Sequence, residues 1–172
     1  MINRFRPWIA VILSGIMLSF LSCSLRDDER ALTEMVEKAA SMAERHEFGG
    51  IMDLATEDFR AYPGDLDRRG AKKVLFMAFR YYGELRIIHP QPSIDLEAAD
   101  DFASMMVPFL IVRKDQPLPE LKDLYKKPKE WLERAGEHAD LYRFKLKAVK
   151  AGGEWLVKEA YLERFTGLGF NP

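Results

Sequence analysis

Side chains able to do acid–base, nucleophilic or metal chemistry are few in this chain, which holds one cysteine and three histidines. The single thiol is Cys23, in "SFLSCSL" (residues 19–25). His89 and Asp95 are six residues apart, a spacing that puts both on one face of a regular strand, where a histidine–carboxylate pair could abstract a proton. Pro90 and Pro92 stand between them and spoil that regularity, so a hydrogen-bonded edge histidine is the alternative. Asp53 is flanked by apolar residues. It is either a carboxylate directed into a cavity, with a raised pKa, or an exposed helix position opposite Ile51 and Leu54. Tyr62, Tyr82, Phe109, Tyr142, Trp155 and Tyr161, with Tyr81 beside them, are enough aromatics to line a pocket for a small apolar ligand, although aromatics also simply fill cores. His46, His89 and His138 are scattered, without metal-ligand spacing, and there is neither a glycine-rich phosphate loop nor a nucleophile elbow. No metal and no cofactor is expected. His89 and Asp53 are therefore the candidate catalytic groups, and neither has a partner fixed by the sequence.

The position of the cysteine is more informative than its chemistry alone. Arg4 and Arg6 precede an uncharged run from Trp8 to Ser22, which ends at Cys23 and is followed by "RDDER". A basic start, an apolar centre and a small residue at its close are the marks of a secretory signal. The run is shorter than the roughly 20 apolar residues that span a bilayer. Phe20, Leu21, Ser22 and Cys23 resemble the cleavage box of bacterial lipoproteins, although Phe20 and Leu21 depart from the usual leucine followed by a small residue. That resemblance implies diacylglycerol on the Cys23 sulfur, cleavage before it, and acylation of the new amine, so that membrane lipid is a partner. Each buried methylene contributes about 0.8 kcal/mol, and more than one chain is needed for stable anchoring. Ser24, where an aspartate would retain a lipoprotein in the inner membrane, implies the outer membrane, facing the periplasm. An ordinary signal peptide with an incidental cysteine and an uncut anchor are the other two readings. The expected division is a signal peptide at 1–22, a polar tether at 23–30, one domain at 31–166 and a tail at 167–172.

A lipidated Cys23 leaves no thiol for a disulfide or a metal site in the folded part. The remaining length is one domain's worth, enough to bury a core without staples. The formal charge of −1 becomes more negative once Arg4 and Arg6 are removed, which argues against a nucleic-acid partner. Helical spacing of Leu32, Met35, Val36, Ala39, Met42 and Ala43 predicts a first helix with one buried face, ended by Gly49 and Gly50. A short helix over 51–58 is expected next, then an extended piece and a turn at Pro63-Gly64. Asp65 or Asp67 can cap a helix over 68–82 that starts basic (Arg68, Arg69, Lys72, Lys73). That group could meet anionic headgroups or form a solvated helix end balanced by Asp65 and Asp67. The second half of this helix, "VLFMAF", is apolar on every side and so is expected to be buried all round. After Gly83 the period becomes two. An edge strand interrupted by Pro90 and Pro92, a strong strand bulged or bent at Pro108, two short helices split by Pro128, and a hairpin turning at Gly152-Gly153 complete the order. On the first hairpin strand Tyr142, Phe144 and Leu146 face one way and Arg143, Lys145 and Lys147 the other.

Helices followed by antiparallel strands make an α+β plan. The order, "EDFRAYPG" before the third helix and the closing "KAGGEWLVKEAYL" resemble the nuclear-transport-factor-2-like (NTF2-like, cystatin-like) family. That resemblance covers about residues 30–165. It implies N-terminal helices packed on a curved, mainly antiparallel sheet around a conical cavity, with a homodimer through the outer sheet face as one use of the fold. The helical insertion before the last hairpin, residues 116–137, departs from the family pattern and could lid the pocket or cover a dimer surface. The fold does not choose the function. The expected function is a lipid-anchored, non-catalytic envelope module binding a small apolar ligand or a partner protein. A structural assembly protein with a filled cone and a dehydratase- or isomerase-type enzyme are the alternatives.

Overall fold

The computed structural model of the chain describes residues 26–97, 101–116, 120–136 and 139–164. Cys23 and the tail 167–172 lie outside the described residues. Helix α1, described over 26–44, is followed by α2 (Phe48–Asp53), β1 (Ala55–Tyr62), α3 (Arg68–Tyr82), β2 (Leu85–Ile88), β3 (Ser93–Glu97) and β4 (Phe102–Arg113). Then come α4 (Leu121–Lys126), α5 (Pro128–Ala135), β5 (Ala139–Ala151) and β6 (Glu154–Arg164). The six strands form one sheet in the order β1-β6-β5-β4-β2, with β3 also on β4. Only β1 and β6 pair in parallel. This is the expected α+β plan of N-terminal helices on a mainly antiparallel sheet.

Strand β4 organises it. Its odd-numbered residues Ala103, Met105 and Val107 are buried with Leu32, Met35 and Val36 of α1, and with Ala148 and Trp155. We call this the inner face. Its even-numbered residues Leu110 and Val112 are buried on the outer face with Trp131 and Ala135 of α5. The outer ladder of β4 stops at Met106 for β3 and resumes at Leu110 for β2. Pro108 lies in that gap, where its missing N–H breaks no bond to a neighbour on that side, so β4 runs through it in unbroken register with β5 and without the bulge expected there. The prolines of the 89–92 segment thus split one edge strand into β2 and β3, as their positions predict. The edge donor of Ile87 is taken by the Glu44 carboxylate (2.8 Å), which blunts an open sheet edge.

Four further expectations are corrected. Helix α1 closes at His46 (φ 58°), not at the glycines. Gly49 and Gly50 belong to α2, and a Cβ on Gly50 would meet the Met42 sulfur at 2.9 Å, so that glycine serves the close approach of α1 and α2. Helix α2 is shorter than expected because its successor is a full strand, β1, drawn into parallel pairing with β6. Helix α1 is already formed at residue 26, inside the stretch expected to be tether. Asp28 accepts from Lys150 (2.6 Å) and from the Trp155 indole (2.9 Å). Finally, α3 has the expected bounds and the expected Asp67 cap, which accepts from the Gly70 amide at 2.7 Å, but it is not buried all round. Ala71, Leu75 and Phe79 face the sheet and helices, while Val74, Phe76, Met77 (60% exposed) and Tyr81 (69%) face out. One layer of sheet can cover only one stripe of a helix.

Two consequences can be measured. Trp131 is fully buried and its indole donates to the Glu120 carbonyl (3.0 Å). Trp131→Ala is expected to cost about 3–5 kcal/mol in urea unfolding, and to expose Leu110 and Val112 to dye binding. The Lys150 hydrogen bond, and then that of Trp155, hold the Asp28 carboxyl below its usual range. Its stabilisation is therefore present above the unfolded value of about 3.9 and lost as pH falls through the lower folded value. Asp28→Asn should flatten the acid limb of the stability profile below about pH 4 and leave the slope at pH 6–8 unchanged.

Candidate functional site

The ends of four elements meet beyond the last turn of α3. Tyr82 closes α3, Ile111 and Arg113 end β4, Gly136 follows α5, and Ala139 and Asp140 open β5. Together with Gln116 they line a cleft of about 280 Å³. β4–β5 pairing sets Ile111 opposite Asp140 and Phe109 opposite Tyr142, so all four belong to the inner face. Gly83 (φ 64°) ends α3 by a left-handed residue, with its amide on the Phe79 carbonyl at 2.9 Å, and this fixes Tyr82 at the rim. His46 donates from Nε2 to the Gly83 carbonyl (3.0 Å) and stacks on Phe79 (4.9 Å), which ties the end of α1 to the same corner.

The polar groups of the cleft are connected. The Tyr82 hydroxyl donates to Asp140 Oδ2 at 2.6 Å and lies 3.3 Å from the Tyr142 hydroxyl. Arg164 reaches Asp140 Oδ1 at 3.5 Å. Tyr142 stacks on Phe109 (5.8 Å), which stacks on Phe144 (4.9 Å), so an aromatic column runs inward from the polar rim. Burial first, then the bond to Asp140, pushes the Tyr82 phenol far above the ordinary tyrosine range. It is a protonated donor at neutral pH. Arg113 places its guanidinium 5.2 Å over the Tyr81 ring.

The candidates drawn from the sequence divide sharply. Tyr82 is at the cleft, Tyr142 is bonded to it and Phe109 is stacked behind. Trp155 is at the other end of the inner core, on Asp28. Tyr62 and Tyr161 are stacked on each other (4.6 Å) on the outer face. There Tyr161 donates to Glu159 (2.9 Å) beside the Lys147–Glu159 ion pair (2.9 Å). The reason is a bulge. Ala148 pairs with Val157 but Lys147 with Glu159, so one extra residue in β6 reverses the alternation and turns Tyr161 outward. The outer face is therefore a lattice of charge, with Glu163 shared by Arg143 and Lys145 (both 2.7 Å).

Asp53 is 81% exposed, 3.9 Å from Arg68, and is not among the residues that line the cleft. Arg68 donates as well to Glu57 and to the Met52 carbonyl. His89 sits in the β2–β3 break, its Nδ1 on the Pro90 carbonyl (2.9 Å). Asp95 is exposed in β3 opposite Ser104, so the six-residue pair does not form. Among the described residues no group of three or more metal-binding side chains occurs. Sequence reasoning missed Asp140 and Arg113. The signal available for Asp140 was its position two residues before Tyr142, on the same face of a strand.

No protein-family model matches the sequence, and no curated protein is significantly similar to it. Solved structures do match. A protein of Novosphingobium aromaticivorans provisionally assigned as a scytalone dehydratase superposes with a TM-score of 0.63 at 15% identity, over 84% of this chain and 89% of its own. An NTF2-like protein with a cystatin-like fold from the same bacterium gives 0.60 at 12% identity, over 87% and 91%. An NTF2-like protein of unknown function from Pseudomonas putida gives 0.60 at 13%, over 80% and 87%. The chain therefore has the NTF2-like, cystatin-like fold.

The hydrogen-bonded rim makes a pH prediction. A phenol whose folded pKa is raised stabilises the fold below its unfolded value of about 10, and this stabilisation is lost as pH rises beyond it. Tyr82→Phe should remove the part of the stability loss that wild type shows above about pH 10. It should also delete the last phenolate to appear in an ultraviolet titration. An unchanged titration would mean that Tyr82 is not held by Asp140.

Proposed function

We propose that the protein is a lipid-anchored module of the bacterial cell envelope that binds a small ligand in the cleft between Tyr82, Arg113 and Asp140. The observation that carries the ligand site is the convergence of four polar side chains on one cleft, backed by the Phe109–Phe144 column. A few convergent polar groups over an apolar floor are what small-molecule sites are made of. Neither His89 nor Asp53 takes part. Asp140 is held by Tyr82 and Arg164, and Tyr82 keeps its proton, so binding fits the geometry better than proton transfer. Anchoring rests on the basic start, the apolar run and Cys23. A homodimer through the sheet, a partner protein and a structural assembly role belong to the same proposal as secondary uses. For a dimer, the outer face offers charged residues around Glu163, with α5 over its Leu110–Val112 end.

A second reading, a dehydratase-type enzyme, has one observation in its favour. The Tyr82–Asp140–Tyr142 cluster is an acid–base constellation in a cleft, and one structural neighbour carries a dehydratase assignment. Solvent-deuterium exchange into a bound ligand would mark catalysis. Its absence, with binding retained, would mark a binding module.

Native mass spectrometry of the full chain purified from its own membrane tests the proposal. The expected species carries a diacylglyceryl and an amide-linked acyl mass at residue 23 and a retained small molecule. Cys23→Ser should abolish labelled-palmitate incorporation and membrane fractionation. Gln116→Trp, which fills the cleft, should remove the retained molecule but not the lipid. Palmitate failing to label wild type would overturn the anchor. A retained molecule that survives Gln116→Trp would overturn the site.

A further inference from the structure

The charges of the cleft are unequally matched. Asp140 is compensated twice, by the Tyr82 hydroxyl at 2.6 Å and by Arg164 at 3.5 Å. Arg113 is not. It is half-buried at the end of β4, and the one described contact of its side chain is the face of Tyr81. Among the described residues no carboxylate forms an ion pair with it. Its neighbour Lys114 pairs with Glu84 (3.5 Å) and is exposed. The Gln116 amide in the same cleft is likewise not spent on a described side-chain hydrogen bond. A guanidinium partly out of water and without a counter-ion carries a desolvation cost that an anion would remove. Its planar fork is suited to donate two parallel bonds to a carboxylate.

Building on the reading of this cleft as a ligand site, we infer that its ligand is a small organic monocarboxylate, held by the Arg113 guanidinium, with its apolar body against Ile111. Volume and charge select this class. About 280 Å³ is at the lower limit of ordinary small-molecule sites, which favours a compact ligand over a nucleotide or an acyl lipid. One uncompensated cation beside a neutral amide matches a monoanion. A phosphate dianion would be left half-neutralised. The Asp140 rim, already bonded by donors, repels a second anionic end and accepts a hydroxyl or amine on the far side of the ligand.

Methyl NMR of the full chain in lipid nanodiscs, with isoleucine methyls labelled, reads binding at Ile111. The probes are benzoate, its neutral isostere benzamide, and inorganic phosphate. The inference expects benzoate to shift the Ile111 methyl at a concentration about 10- to 100-fold lower than benzamide, and phosphate not to shift it. Arg113→Gln should bring benzoate down to the level of benzamide and leave benzamide itself unchanged. Arg113→Lys should fall between the two, and Lys114→Gln should match wild type within about twofold. The wild-type methyl spectrum away from the cleft reports that each variant is folded. Equal binding of benzoate and benzamide, or benzoate binding that survives Arg113→Gln, overturns the carboxylate inference while the cleft remains a ligand site. Tighter binding of phosphate overturns it in favour of a phosphate ligand. Failure of all three probes to move the Ile111 methyl overturns the ligand-site reading, and this inference with it.

Discussion

The two-sided burial of β4 is the constraint on which the molecule depends. From Phe102 to Val112 every residue is paired with β5, so the inward and outward sets cannot slide independently. A shift of one residue would carry Met105 and Val107 out to the charged face and Ser104 and Met106 into the α1 core. The first half of the strand needs cover only on the inner side, and its outward residues Phe102 and Met106 remain partly exposed. The second half is apolar on both sides. Leu110 and Val112 would lie bare on the outer face without the indole of Trp131 and the methyl of Ala135. The helical insertion is therefore part of the core and not an ornament on it.

That same arrangement makes the cleft. Where α5 ends and β5 begins, the outer cover stops and the inner cover, α3, also stops, at Gly83. Two layers finishing at one corner of a sheet leave a gap, lined by whatever residues terminate the strands and helices. Here these are Tyr82, Arg113, Ala139 and Asp140. The site is thus a product of element ends, and its polarity follows. Residues at strand and helix ends are free of the apolar pattern that burial imposes on element middles, and can carry charge next to a core.

This explains what could be read from the sequence and what could not. The bounds of α3, the division of α4 from α5 at Pro128, the hairpin at Gly152-Gly153 and the split edge strand all follow from local chemistry. A cap, a proline or a glycine turn acts within a few residues of itself. Tertiary causes defeated the other expectations. His46 takes a left-handed backbone because its ring is held between Phe79 and the Gly83 carbonyl, contacts 33 and 37 residues away. β1 is a strand because β6 offers it an edge. Tyr161 points outward because of a single extra residue in β6, invisible in a pattern that assumes unbroken alternation. The partners Tyr82 and Asp140 are separated by 58 residues, and nothing short-range announces that they meet.

The two ends of the domain have opposite characters, and α1 connects them. Its described span of 26–44 is roughly 28 Å long at 1.5 Å per residue. The beginning is fastened by Asp28 to Lys150 and Trp155, beside the Gly152-Gly153 turn. The far end reaches the α3 corner through His46. Under the proposed acylation of Cys23, two residues, Ser24 and Leu25, separate the lipid-bearing residue from this rigid helix, at most roughly 10 Å of extended chain. The fastened end must then ride close to the bilayer surface. The cleft would then lie at the other end of α1 from the anchor. A water-soluble carboxylate reaches such a site without crossing lipid. A strongly apolar ligand would first have partitioned into the bilayer at the wrong end of the molecule.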